Sequence, residues 1–271
     1  MNLNDLTFTS IETVTAYDVS TGDYKWTLDE LQNFTISQTE EKTDVTGRGG
    51  RKLTSLKRNK AISISGANGY ISSGLLETQT GGTLVNGETN ILWTDYLTVN
   101  ASHEASTKFK GVGTSGAEIK ALYVRNADGT VGQPLTQVAS NPSGATEFTY
   151  APATKKLTFA SEVEENTQIV VQYMRKITAV HLENYSDTFS GKATLYVDAF
   201  AEDKCNNVYR VQFYLPKVDF NGEFSIEFGD NQSVHNFEAE SLSTSCVFGQ
   251  QTGRSLLWTY TVFGANVEDA A

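Results

Sequence analysis

Period two dominates this chain. In residues 191–203 Leu195, Val197 and Ala199 alternate with Tyr196, Asp198 and Phe200. In residues 208–215 Val208, Arg210, Gln212 and Tyr214 alternate with Tyr209, Val211, Phe213 and Leu215. Successive side chains of an extended strand point to opposite faces, so this spacing predicts half-buried antiparallel strands. Residues 5–17 (Leu6, Phe8, Ile11, Thr13, Thr15, Tyr17), 61–66 and 89–100 read the same way. Helical spacing shows only at 69–80, where Ile71, Leu75 and Leu76 share one face and Gly81-Gly82 ends the run. The middle of 24–39 has a brief helix-like texture, but Phe34, Ile36 and Gln38 return to strand spacing. The chain is therefore expected to be mainly β with one short helix. Its plentiful Thr, Ser, Val, Tyr and Phe agree.

The texture changes at 102–118, which is polar and Gly-rich like a linker or long loop. Asn126-Ala-Asp-Gly129 then marks a hairpin between two alternating runs, and three short strands follow up to residue 177. Strands at about ten-residue spacing suggest a small β-sandwich or barrel. An inserted, Ig-like β domain is expected at 105–178, within a discontinuous domain of 1–104 and 179–271. Turns are expected at Ser20–Asp23, Asn207, Gly222 and Gly229-Asp230, and the tail from Asn266 carries no pattern. The 271 residues suffice for a sizeable core.

The first residues show no basic segment followed by an apolar one, so no secretory signal is expected. No apolar run approaches the roughly 18 residues that a helical membrane span needs, and no membrane partner is expected. Cys205 and Cys246 then read as two reduced thiols, buried or half-buried, and a disulfide between them stays open.

One segment departs from the rest. Residues 44–60 hold six bases (Arg48, Arg51, Lys52, Lys57, Arg58, Lys60), one acid (Asp44) and three glycines in four positions (Gly47, Gly49, Gly50). The whole chain has 32 acids and 21 bases. Removing this segment leaves 31 acids against 15 bases, a balance of −16. An acidic body repels DNA phosphates. The glycines do not make a phosphate loop: counting from Gly47, both the Walker and the dinucleotide patterns require glycine where Lys52 stands, and no parallel βαβ pattern surrounds them. The basic residues lack interleaved aromatics for base stacking. A cationic segment on an anionic body is self-complementary, and such head-to-tail contacts build rings or filaments. The bland alternative is a solvated charge run.

No catalytic set emerges. His103, His181 and His235 are far apart and have no metal-type partner nearby in sequence, so they read as solvated or satisfied strand residues. A dyad of Cys205 or Cys246 with His235 stays open without local support. Glu40-Glu41 and Glu164-Glu165 would face opposite sides of a strand and so not converge. Gly229-Asp-Asn-Gln lacks calcium-loop spacing and reads as a turn. No metal, cofactor or catalytic residue is assigned.

Residues 17–69 resemble the N-terminal part of tail tube (major tail) proteins of tailed bacteriophages. The likeness rests on a strand, an acidic turn, then Thr46-Gly-Arg-Gly-Gly-Arg-Lys52 and Arg58-Asn-Lys60 before a Ser-rich strand. Residues 214–242 are similar to the C-terminal part of the same proteins. The resemblance covers the two ends, 1–100 and 180–271. The middle resembles the extra β domains such proteins often carry and departs from the minimal family. The resemblance implies an antiparallel β-sandwich or half-barrel of the tail-tube type with one short helix, plus the inserted small β-sandwich. It also implies rings of six copies that share an inner barrel and stack into a tube. DNA passes through that tube without specific binding.

By the same resemblance the partners are other copies of the chain and other tail proteins (a sheath in a contractile tail, a terminator, a baseplate). The location is the virion tail, assembled in the host bacterial cytoplasm. The loop at 39–60 matches the position that bridges neighbours, which makes Arg48, Gly49, Gly50, Arg51, Lys52, Lys57, Arg58 and Lys60 the expected interface residues. Two other readings stand beside it. One is a virion decoration or adhesin module binding a glycan or protein through Tyr123, Tyr150 and Tyr173, whose ordinary role is strand packing. The other is a capsid or tail-terminator protein.

Overall fold

The computed structural model describes residues 5–226, 234–247 and 250–264. The turn expected at Gly229-Asp230 and the tail from Asn266 lie outside them. In chain order the elements are β1 (Thr7–Tyr17), β2 (Tyr24–Leu28), β3 (Leu31–Thr46), β4 (Lys52–Asn68), α1 (Ser73–Thr80), β5 (Thr83–Thr98), β6 (Glu104–Ser106), β7 (Ile119–Arg125), β8 (Val131–Gln137), β9 (Glu147–Ala151), β10 (Lys156–Phe159), β11 (Gln168–Glu183), β12 (Lys192–Glu202), β13 (Val208–Phe220), β14 (His235–Ser241), β15 (Thr244–Val247), β16 (Gln250–Leu256) and β17 (Thr259–Gly264). The chain is mainly β with one α-helix among the described residues. It divides into two compact units, Met1–Leu84 with Leu182–Ala271, and Val85–His181.

The first unit is built on one sheet in the order β2-β1-β12-β13-β14-β4-β3, with β17 also paired to β13. The sheet curls into a half-barrel, and β1 approaches β3. Alternation along each strand puts Val14, Leu28, Ile62, Ile64, Leu195, Val197, Phe220 and Phe237 in one core. Helix α1 adds Leu75 to it, and Trp26 Nε1 donates to Thr78 Oγ1 at 2.9 Å. The helix is shorter and more polar on its buried side than its sequence spacing predicts. Ser72 is the N-cap, Ile71 is 48% exposed before it, and the buried positions are Leu75, Thr78, Gln79 and Thr80. Gly81 ends the helix in the left-handed conformation (φ 67°) and donates to Glu77 O.

The second unit is a sheet in the order β5-β11-β7-β8-β9-β10-β6, in which β11–β7, β7–β8, β9–β10 and β10–β6 pair antiparallel and β8–β9 parallel. Residues from both ends of that order, Ile169, Val171 and Leu122 on one side and Phe148, Leu157 and Phe159 on the other, share one core. The hairpin at Asn126–Gly129 forms as its sequence predicts, with Gly129 N donating to Asn126 O at 2.9 Å. This unit begins well before residue 105. Val99 belongs to its core and Trp93 and Leu97 pack against it. Nor is 102–118 a linker. Buried hydroxyls and a buried carboxylate hold its backbone: Tyr173 accepts from Phe109 N, Tyr150 from Gly111 N, and Asp95 from Lys108 N. Polar composition misleads here because side chains elsewhere satisfy the backbone.

Candidate functional site

Strands β3 and β4 pair from Leu31–Asn68 to Thr46–Lys52, far beyond the usual strand length. β14 pairs only with Ile62–Asn68 of β4. Beyond Ile62 the hairpin therefore leaves the sheet and continues as a two-stranded arm. Across 39–61 every residue is exposed apart from the half-buried Val45, Gly47 and Ser55. The arm starts at a bulge: Thr39 pairs with Ala61 but Glu41 with Arg58, which leaves an extra residue on β4. Asn59 takes up the left-handed conformation there (φ 53°), and its Nδ2 donates to Glu41 Oε2 at 2.6 Å. A bulge of this kind raises the local twist and shifts which face each side chain occupies. At the far end Arg48–Gly50 make a single 3-10 turn closed by Gly50 N to Gly47 O at 3.1 Å, and Gly47 N donates to Arg51 O at 2.8 Å across the hairpin end. Gly49 and Gly50 both need positive φ, 79° and 77°.

The two faces of the arm differ. One carries Lys57–Glu40 and Lys52–Asp44 ion pairs, each 2.7 Å, and Ser55 Oγ donates to Asp44. The hydrogen bond and charge of Lys57 hold Glu40 below the ordinary carboxylate range, and Glu40 in turn raises Lys57. Hydrogen bonds from Lys52 and Ser55 lower Asp44. The other face carries Thr43, Val45, Thr54 and Leu56, with Arg58 opposite Glu41. Leu53, the extra residue of a second bulge, lies against Gly47. Leu53 and Leu56 are 56% and 49% exposed.

All eight expected interface residues thus lie on the arm, in different roles. Gly49 and Gly50 shape the tip beside Arg48 and Arg51. Lys52 and Lys57 are spent on the arm's own acids. Lys60 stands in the bulge near Glu40. Among the described residues Arg48, Arg51 and Arg58 have no acid within ion-pair distance. Sequence reading missed the internal pairing because it depends on cross-strand register.

The half-barrel has an apolar opening of about 430 Å³, lined by Phe8, Ile11, Phe34, Ile36, Val197 and Phe213 among others. Phe8, at its rim, is 53% exposed. Phe8, Phe213, Tyr260 and Trp258 form a cluster of rings with centroids 4.9–6.3 Å apart. No single strand's pattern announces this groove, since it arises where the curl brings β1 toward β3.

Other singled-out residues have structural roles. Tyr150 and Tyr173 are core residues and present no stacking face to a ligand. Burial and the bond to Asp95 push the Tyr173 hydroxyl up to about 12. His235 is fully buried. Its Nδ1 accepts from Ser72 N at 3.2 Å, and its Nε2 faces Gln79 Oε1 at 2.7 Å. Both nitrogens are occupied, and Cys205 is free and exposed in a turn, not buried, so these two make no dyad. The Cys246 side chain lies outside the described residues. Glu164 and Glu165 sit in a turn and not on a strand. Among the described residues no three His, Cys, Asp or Glu side chains gather to hold a metal ion, and no helix is long and apolar enough to cross a membrane.

Comparison with curated proteins gives no match. Comparison with protein families matches residues 7–252 to one described as the YomU/Tube protein family. The matched span runs from the first residue of β1 into β16 and includes the arm, the helix and the second unit. The chain belongs to the YomU/Tube protein family.

Proposed function

We propose that this chain is a structural subunit of a phage tail tube, one of six in a ring, and that the rings stack around a lumen through which DNA passes. It works as a part of the virion tail, beside other tail proteins, and not as an enzyme. Family membership supports the tube. The observation that carries the assembly is the arm. An isolated two-stranded hairpin is marginal in water, and among the described residues none outside the arm covers this one. A second copy supplies that cover. The other half of the reading is electrostatic. The polar face of the curled sheet carries Asp198, Glu238 and Glu240 beside Ser63 and Ser65, while Asp219 is paired there with Lys192 and Glu12 with Arg210. An acidic lining of that kind lets nucleic acid slide past.

The test is a charge reversal at the tip. Arg48→Glu with Arg51→Glu leaves the Glu40–Lys57 and Asp44–Lys52 pairs intact. It is expected to abolish polymers in negative-stain images while the folded subunit keeps its circular dichroism. Polymers at wild-type yield from this variant would remove the arm from assembly.

A further inference from the structure

We propose, resting on the tube reading above, that the apolar strip of one copy's arm docks into the half-barrel groove of a second copy. The groove is lined mainly by apolar side chains, and its rim ring Phe8 is exposed along with Trp258. Open apolar surface of this kind marks an interaction site. The arm offers the complementary feature: Val45 and Leu56 on the face that carries no ion-paired lysine, and Leu53 beside the tip.

The two features cannot meet within one chain. Ile36 lines the groove and Val45 lies nine positions further along the same strand, roughly 30 Å away at 3.4 Å per residue. The β3–β4 ladder between them leads outward, and no groove-lining residue comes from the arm. The arm that enters is therefore that of another copy. Charge favours that encounter: among the described residues Arg48, Arg51 and Arg58 have no acid within ion-pair distance, whereas the chain without 44–60 has a balance of −16. Long-range attraction brings the tip to an anionic neighbour, and burial of Leu53, Leu56 and Phe8 holds it there. Arm and groove are different surfaces, so the contact is head to tail and leaves one free arm and one free groove at the ends of any open oligomer. Rings and stacks grow from that property.

Two full-length variants test this. Leu56→Asp spoils the strip, and Phe8→Asp spoils the rim. Leu56 is exposed, so Leu56→Asp is expected to melt like wild type; Phe8 also packs on Phe213 and Tyr260, so Phe8→Asp is expected to melt somewhat lower and to keep the wild-type circular dichroism at the assay temperature. Each alone is expected to stay monomeric at ten times the concentration at which wild type polymerises. Mixed, they are expected to give a 1:1 complex by light scattering, since the Phe8→Asp copy keeps its arm and the Leu56→Asp copy keeps its groove. Phe8→Asp polymerising like wild type while Leu56→Asp does not would overturn the groove and leave the arm reading intact. Wild-type polymerisation by both, or no complex on mixing, would give the groove another occupant and overturn the proposal. Wild type that never self-associates would remove the tube reading and this proposal together.

Discussion

At the scale of single residues, stability rests on a few buried polar groups and one glycine. Asp95 receives Trp93 Nε1, Lys108 N and Tyr173 OH, and that hydroxyl also accepts from Phe109 N. Tyr173→Phe strands Phe109 N and takes one of three donors from Asp95, so urea unfolding is expected to show a loss of about 1–3 kcal/mol. Gly81 is stricter: a Cβ there would lie 2.0 Å from Phe189 O, and φ is already 67°. Gly81→Ala is expected to cost more than about 2 kcal/mol, from left-handed strain plus a backbone clash. His235 sets a pH dependence. Burial depresses its folded-state value below the ordinary 6.5. Its surroundings, the Ser72 amide at the start of α1, Gln79 and the Phe224 ring, offer no negative charge. The unfolded chain therefore binds the proton more readily. Stability is full above about pH 6.5 and falls as pH drops through that value toward the folded one. Melting curves between pH 7.5 and 5 are expected to show this slope, and His235→Gln to flatten it at some cost at high pH.

At the scale of elements, the arm is nearly independent of the core that carries it. Residues 39–61 contribute no buried side chain, so replacing 41–58 with a tight turn is expected to leave the melting temperature within a few degrees while ending self-association. Calorimetry and light scattering check the two halves. Strands such as β12 and β13 were legible in sequence because one face is buried and the other is not, and period two records that directly. The arm was legible as composition, a cationic Gly-containing segment in an acidic chain. Its form was not. Register decides that Lys52 and Lys57 neutralise Asp44 and Glu40, and a bulge at Asn59 decides which face Leu56 occupies. The segment 102–118 misled for a related reason, because the groups that order it, Tyr150, Tyr173 and Asp95, are distant in sequence. The helix misled at Ile71, since Ser72 caps the chain one residue later.

At the scale of the whole molecule, charge is segregated between an anionic body and a projecting arm whose tip arginines meet no acid among the described residues. An arrangement of this kind is self-complementary between copies and cannot be satisfied within one. It accounts for why a chain with a formal charge of −11 would self-associate at all, and for why added salt should weaken the encounter, since exposed charges are screened beyond about 8–10 Å at physiological ionic strength. The groove gives the contact an apolar component that salt does not screen, so mature polymers are expected to survive salt that prevents their formation. The most direct measurement is electron microscopy of the concentrated, purified full-length protein. The expected result is hollow tubes of stacked rings. A field of compact single subunits, at every concentration and ionic strength tried, would contradict the account.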